Sequence, residues 1–222
     1  KRGVFMDQAL EILPADYWRW YLIANAPESS DANFTWEHFA ATVNKDLADV
    51  LGNFVNRVLK FGAARFGSTV PAEGLPASHE ADLAARLDQA ISAYTILLDE
   101  MQFRKAAQEL RSIWVIANEY VAAAAPWTLI KTDPAAAAAA IRTALNLIGL
   151  IANLSAPILP ETSAALLRAL GLPEQAPEWP ARPAADLLNL LGPGHPFEVP
   201  PVLFAKLSDD QIAAWTQQFA GS

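Results

Sequence analysis

The sequence predicts a mainly α-helical protein, built as a bundle of about five helices. Apolar residues recur at steps of three and four from residue 36 to residue 58, which is typical of a helix with one buried face. Alanine runs at 122–125 and 135–140 favour helix and close helix packing. Segments rich in proline and glycine separate the periodic stretches.

Residues 1–34 form a first short unit. We expect an extended start at residues 3–6, and then a short helix capped by the carboxylate of Asp16. Trp18 and Trp20 lie two residues apart and cannot share a helix face, so one should pack on the bundle and the other should face a domain that this chain lacks. The polar residues 27–31 end the unit.

Residues 35–170 form the predicted helical bundle. Thr35 begins the first helix, and Glu37 in its first turn suits the helix dipole. Proline in the first helical turn is favourable, which places the start of the fourth helix at Pro134. The expected helices cover residues 35 to about 61 or 66, about 80–100, 103–124, 134–154 and 161–170.

Residues 171–222 form a predicted strap over the bundle. Proline- and glycine-rich connections lead to a short apolar stretch at 199–204, and a last helix begins near Ser208. No repeat of 20–50 residues is apparent, which disfavours a solenoid.

Composition excludes several classes of function. The chain has 222 residues and no cysteine, which excludes disulfides and thiolate zinc sites, and its 3 histidines are far apart in sequence. We therefore expect no metal site and no cofactor within this chain. The first residues lack the order of a signal peptide, so we expect a cytoplasmic fragment of a longer protein.

The most apolar run, residues 143–157, contains Asn146, Asn153 and Ser155. A membrane helix needs about 20 mostly apolar residues. We therefore expect a helix buried in protein and no membrane partner.

The net charge of −8 argues against general binding of polyanions, because Lys and Arg supply nonspecific affinity for nucleic acid. The charge is unevenly distributed, however. Residues 50–72 contain Arg57, Lys60 and Arg65 and no acidic residue. A local basic site is compatible with an acidic protein.

Asn53, Arg57 and Trp127 could together read a base of single-stranded RNA. Asn53, Arg57 and Lys60 fall within a sector of roughly 60° beside the apolar stripe of their helix. Pro126 should push Ala125 towards an extended conformation and place Trp127 at a helix junction. An aromatic ring that stacks, with amide and guanidinium groups on the base edge, is the usual chemistry of such recognition. Stacking and edge contacts would together contribute about 2–6 kcal/mol.

Other interpretations of the same residues stay open. An Asn and an Arg one turn apart usually form a solvated helix face, and a tryptophan at a helix junction is more often a plug of the core. A helical module that binds proteins and not RNA would also fit the pattern.

Most of the chain resembles the anticodon-binding end of the methionyl-tRNA synthetase family, a class I aminoacyl-tRNA synthetase. The resemblance implies that Asn53, Arg57 and Trp127 contact the anticodon, with Trp127 stacking and the polar pair addressing the first base, cytosine. Lys60 and Arg65 would be supporting basic residues. The matching segments are residues 2–5, 13–17, 21–22, 24–28, 34–36, 43–44, 51–53, Arg57, 117–118, Tyr120 and 125–127. Residues 2–5 resemble the segment just after the family's KMSKS loop, and residues 13–17 with 21–22 resemble the stem-contact helix that follows it. The resemblance therefore implies that residues 1–34 are the end of the catalytic and stem-contact region.

The resemblance also implies what this chain lacks. It has no HIGH motif, no complete KMSKS loop and no zinc knuckle. We therefore expect no catalytic residue here and no activity of the fragment alone. The family joins methionine to tRNA using ATP, so ATP and methionine would bind the missing catalytic domain. The implied partners are that domain and methionine tRNA with its CAU anticodon; the bundle of another class I synthetase for an apolar amino acid is an alternative.

Overall fold

The computed structural model describes residues 4–28, 31–74, 80–174 and 179–220. This part of the chain is mainly helical, as predicted. Its helices are α1 (Met6–Ile12), α2 (Ala15–Ala24), α3 (Trp36–Val43), a π-helical segment (Asn44–Gly52), α4 (Asn53–Phe66), α5 (Glu80–Asp99), α6 (Phe103–Ala124), α7 (Pro126–Leu129), α8 (Pro134–Ser155), α9 (Pro160–Ala169), α10 (Ala184–Leu187) and α11 (Asp209–Gln218).

The five long predicted helices are confirmed, with ends that differ by one or two residues. The Oγ1 atom of Thr35 accepts a hydrogen bond from the His38 amide at 3.1 Å and caps α3. Ser208 and Gln211 form a reciprocal capping box at the start of α11. The extended start was predicted too long, because Met6 already begins α1, and Gly3 lies outside the described residues.

The apolar helix α8 lies in the core of the bundle. It is long and apolar enough to cross a membrane, but 83% of its most apolar window is buried inside the protein. Helices α4, α6, α7 and α9 pack against it. The predicted buried helix is therefore confirmed.

Both tryptophans of α2 are buried, so the expectation that one of them faces a missing domain was wrong. The Trp18 ring stacks on Phe39 with centroids 4.4 Å apart, and the Trp20 ring lies 4.6 Å from Trp114. Helix α2 lies between α3 on one side and α6 on the other. Two opposite faces of the helix are therefore both covered.

Asp16 does not cap its own helix, which is a second correction. Helix α2 begins after Pro14 and has no side-chain cap. The Oδ2 atom of Asp16 instead accepts hydrogen bonds from the amide and hydroxyl of Thr162, at 2.7 and 2.6 Å. Thr162 is in the first turn of α9, so the carboxylate of one helix caps another.

The long helix predicted from Thr35 is continuous but not α-helical throughout, because residues 44–52 form the π-helical segment. Side chains from other helices support this segment. Asp46 accepts hydrogen bonds from Trp20 Nε1 and Arg111 Nε at 3.2 and 2.5 Å. Asn118 Nδ2 donates to the Val50 carbonyl at 3.1 Å, close to the point where α4 begins.

The residues after 170 pack on the bundle through α10, α11 and irregular chain. Helix α10 contacts α5, and α11 contacts α3. Phe197, Phe204 and Trp215 belong to the same hydrophobic core as residues from the first two predicted units. The division at residues 34 and 170 stays a prediction.

Candidate nucleic-acid interface

Helices α4 and α7 bring Arg57 and Trp127 into contact. The Arg57 Cζ atom lies 4.1 Å from the centroid of the Trp127 ring, which is the geometry of a cation–π interaction. Phe61, one turn after Arg57, meets the same ring at 89° with centroids 6.4 Å apart. Two residues that are 70 positions apart in sequence therefore form one surface feature.

The Trp127 indole is half-buried and not sealed in the core. It packs against the edge of the hydrophobic cluster and keeps part of its surface accessible. The interpretation of Trp127 as a plug of the core therefore does not describe its position.

The junction before Trp127 differs from the prediction. Ala125 is left-handed, with φ 41° and ψ 53°, and not extended. Its amide donates to the Val121 carbonyl at 3.0 Å, and its carbonyl accepts from Thr128 and Leu129 at 2.8 and 3.0 Å. These bonds end α6 and begin α7, so the chain turns sharply at Ala125. Pro126 is buried and fixes the first turn of α7.

Asn53 and Arg57 are both exposed and lie one turn apart on α4. Lys60 and Arg65 are exposed further along the same helix. Among the described residues, none of these three cations forms a salt bridge. The structure thus brings Arg57 to Trp127 and places Asn53 one turn away, while Lys60 and Arg65 extend the basic surface. The anticodon roles of these residues stay a prediction.

Sequence reasoning missed the residues that position α4. Asn118 and Asp46 hold the π-helical segment directly before Asn53. The sequence did offer one signal, which is the polar Asn118 one turn after Trp114 on the buried side of α6. In the structure, Asn118 Nδ2 also donates to the Trp114 carbonyl at 2.9 Å. Periodicity alone gave no indication of a π-helical register.

A cavity of about 500 Å³ lies elsewhere, between α8 and the described part of residues 172–195. None of Asn53, Arg57 and Trp127 lines it. The candidate interface is therefore an exposed surface on α4 and α7, and this cavity is separate from it.

Comparison with protein families shows which family the chain belongs to. The family model described as the anticodon binding domain of methionyl tRNA ligase matches residues 70–222, and a model of class I tRNA synthetases (M) matches residues 1–59. The chain belongs to the methionyl-tRNA ligase family. Asn53 and Arg57 lie in the first matched region and Trp127 in the second, so the candidate interface joins the two.

Curated methionine–tRNA ligases match the chain along its length. The protein of Ruegeria pomeroyi is 56% identical over 99% of this chain, which covers 38% of the relative. That of Maricaulis maris is 52% identical over 100% of this chain, which covers 39% of the relative. The chain thus spans less than half the length of these relatives. The matches favour the methionyl-tRNA ligase interpretation over a synthetase for another amino acid or a module that binds only proteins.

Solved structures show the same fold. The apo form of methionyl-tRNA synthetase from Mycobacterium tuberculosis superposes with a TM-score of 0.79, at 24% identity, over 92% of this chain and 41% of that one. The structure of that enzyme in complex with methionyl-adenylate gives a TM-score of 0.78 at 25% identity, over 90% and 39% of the two chains.

Proposed function

We propose that this chain reads the CAU anticodon of methionine tRNA for a methionine–tRNA ligase, which attaches methionine to tRNA using ATP. The contact between Arg57 and Trp127 beside the exposed Asn53 carries the proposal. Within the described residues, these groups supply the stacking plane and the polar edge contacts that a splayed-out base needs.

The base replaces Arg57 on the indole. In the free chain the guanidinium covers the Trp127 ring. Such an exposed cation–π contact contributes about 0.5–1 kcal/mol, whereas stacking of a base on an aromatic ring contributes about 1–3 kcal/mol. Stacking therefore outweighs the contact that it displaces, and Arg57 is released to face the edge of the base.

Asn53 and Arg57 then select cytosine. The amide oxygen of Asn53 accepts from the exocyclic amine of the base, and the Arg57 guanidinium donates to the acceptors beside it. Both side chains start from one side of α4, so their stems are held while their heads stay free. Lys60 and Arg65 attract the phosphates of the loop.

The rest of the ligase packs against the first two helices. Phe5, Met6 and Leu10 of the α1 region and Leu22 of α2 are large apolar side chains that are 73%, 53%, 48% and 52% exposed. Large apolar side chains exposed in this way suit an interaction site. In this proposal the catalytic domain of the same protein covers them and binds ATP and methionine, and the enzyme works in the cytoplasm.

Two anticodon stem-loops that differ only in the first base test the proposal. A labelled CAU loop and a UAU loop are titrated with the 222-residue chain, and binding is followed by fluorescence anisotropy. We expect the CAU loop to bind about 5–150-fold more tightly, which corresponds to about 1–3 kcal/mol of edge discrimination. Absolute affinity should be weak because the chain carries a net charge of −8. Equal affinity for the two loops would overturn the proposal.

A further inference from the structure

Residues 199–207, which we name the return segment, run beside the helix that carries Asn53. Asn44 exchanges two hydrogen bonds with the backbone of Leu207, at 2.8 and 2.9 Å. Further along, Lys206 Nζ lies 2.6 Å from Asp49 Oδ1. The return segment is therefore antiparallel to the helix and passes towards α4.

The far end of the return segment reaches α4 itself. Phe204 packs over Gly52, where an added Cβ would lie 3.7 Å from its ring. Residues 199–203 line one crevice with Gly52, Val55 and Asn56. The return segment therefore packs beside the first turn of α4, where Asn53 lies.

Contacts that do not involve Lys206 hold the return segment in place. The Tyr17 hydroxyl donates to the Ala205 carbonyl at 3.1 Å, and the Tyr17 ring meets Phe204 edge-on with centroids 5.3 Å apart. Phe204 and Leu207 are buried on either side of the exposed Lys206. The backbone at Lys206 is therefore held in place without depending on the ion pair of its side chain.

Asp49 is an unfavourable neighbour for RNA. Its side chain is 52% exposed and lies four residues before Asn53, about one turn earlier on the continuous helix. The screening length at physiological salt is about 8 Å. A phosphate of a nucleotide held at Asn53, one turn away, would therefore be repelled by the Asp49 carboxylate wherever it came within that length.

We propose that Lys206 of the return segment belongs to the RNA interface, where it neutralises Asp49 and presents a cation to the phosphate beside the base at Asn53. This inference rests on the proposed function. An exposed ion pair contributes little to folding, and the return segment has other anchors. The Lys206–Asp49 pair therefore acts on RNA affinity and not on the fold.

Charge variants of the 222-residue chain test this role against the CAU stem-loop. Lys206→Ala should weaken binding roughly threefold to tenfold at low salt, and should reduce the slope of log K against log salt by about 0.7. Adding Asp49→Asn to Lys206→Ala should recover about twofold to fivefold, because the repelling carboxylate is gone. Asp49→Asn alone should bind at least as tightly as the unaltered chain.

Arg168→Ala is the matched control. It removes one cation from another exposed ion pair, with Glu174, on α9, which packs on α8 and α2. It should change affinity by less than about twofold. The role of Lys206 is overturned if Lys206→Ala has no greater effect than Arg168→Ala, or if Asp49→Asn recovers nothing in the Lys206→Ala background.

Trp127→Ala separates this inference from the proposed function. If Trp127→Ala leaves binding of the CAU loop unchanged, the proposed function fails and the role of Lys206 fails with it. If Trp127→Ala weakens binding and Lys206→Ala does not, only the role of Lys206 fails. Thermal unfolding of each charge variant should match that of the unaltered chain within a few degrees.

Discussion

At the scale of single residues, Arg57 has two partners, the Trp127 ring and a base edge. Both contacts depend on its planar guanidinium. In the free chain it lies over the Trp127 ring, 4.1 Å from the centroid. In the proposed complex it meets a base edge. A guanidinium is planar and offers donors in a fixed fork, whereas an ammonium is a compact point charge. The identity of the cation therefore matters beyond its charge.

Arg57→Lys should weaken binding of the CAU loop about 5–30-fold, even though the net charge is unchanged, because the planar edge contact is lost. The free energy of unfolding should change by less than about 1 kcal/mol, since an exposed cation–π contact is weak. Lys60→Arg, also on α4, is the control and should leave affinity within about twofold. Binding is measured by anisotropy and stability by urea unfolding. Unaltered binding by Arg57→Lys would show that only charge counts at this position.

At the scale of elements, the site depends on two irregular pieces of backbone. The π-helical segment ends at Gly52, directly before Asn53, and the left-handed Ala125 lies two residues before Trp127. A residue with a side chain in the left-handed region costs about 1–2 kcal/mol. Such strain is maintained only where the surrounding structure enforces it, and it often marks functional sites.

Ala125→Val should destabilise the chain by about 1–3 kcal/mol, because a β-branched residue tolerates positive φ poorly. Ala123→Val, at an exposed position in the same helical turn of α6, should cost less than about 1 kcal/mol, the ordinary difference in helix propensity. Urea unfolding measures both. Equal losses for the two variants would mean that the conformation of Ala125 is not a constraint. Ala125→Gly should not be destabilising, because glycine adopts this conformation without strain.

The sequence predicted the regular helices well and these irregular pieces poorly. Apolar periodicity located α6 and α8 because their buried faces repeat regularly. It could not show the π-helical register of residues 44–52, where Arg111 and Asn118 of α6 donate hydrogen bonds to Asp46 and Val50. The preference of residues before proline for extended backbone gave the wrong conformation for Ala125. There, the hydrogen bonds that Ala125 forms with residues of α6 and of α7 outweigh the local preference.

At the scale of the whole molecule, α2 connects the first residues of the chain to the bundle. Its Trp18 and Trp20 cover α3 and α6, and its Asp16 caps α9. The contact between Arg57 and Trp127 joins the regions matched by the two family models. The candidate site therefore requires the assembled bundle and cannot be formed by either matched region alone.

Asp16→Ala should reduce the free energy of unfolding by about 2–4 kcal/mol, because it leaves two buried donors of Thr162 without their acceptor. Asp133→Ala is the control. Asp133 is an exposed cap of α8 that accepts from the Ala136 amide at 2.9 Å, and its loss should cost about 1 kcal/mol. Urea unfolding compares the two. If Asp16→Ala lowers the free energy of unfolding no more than Asp133→Ala does, the hydrogen bonds from Thr162 to Asp16 do not hold α2 to α9.

The preference for the CAU loop over the UAU loop in an Asn53→Ala/Arg57→Ala variant tests the central claim most directly. Without the polar pair, Trp127 can still stack on either base, so the ratio of the two affinities should fall from about 5–150 to about 1. In Trp127→Ala, both affinities should fall while the chain still prefers CAU. A double variant that keeps the full preference for CAU would show that the first base is read elsewhere.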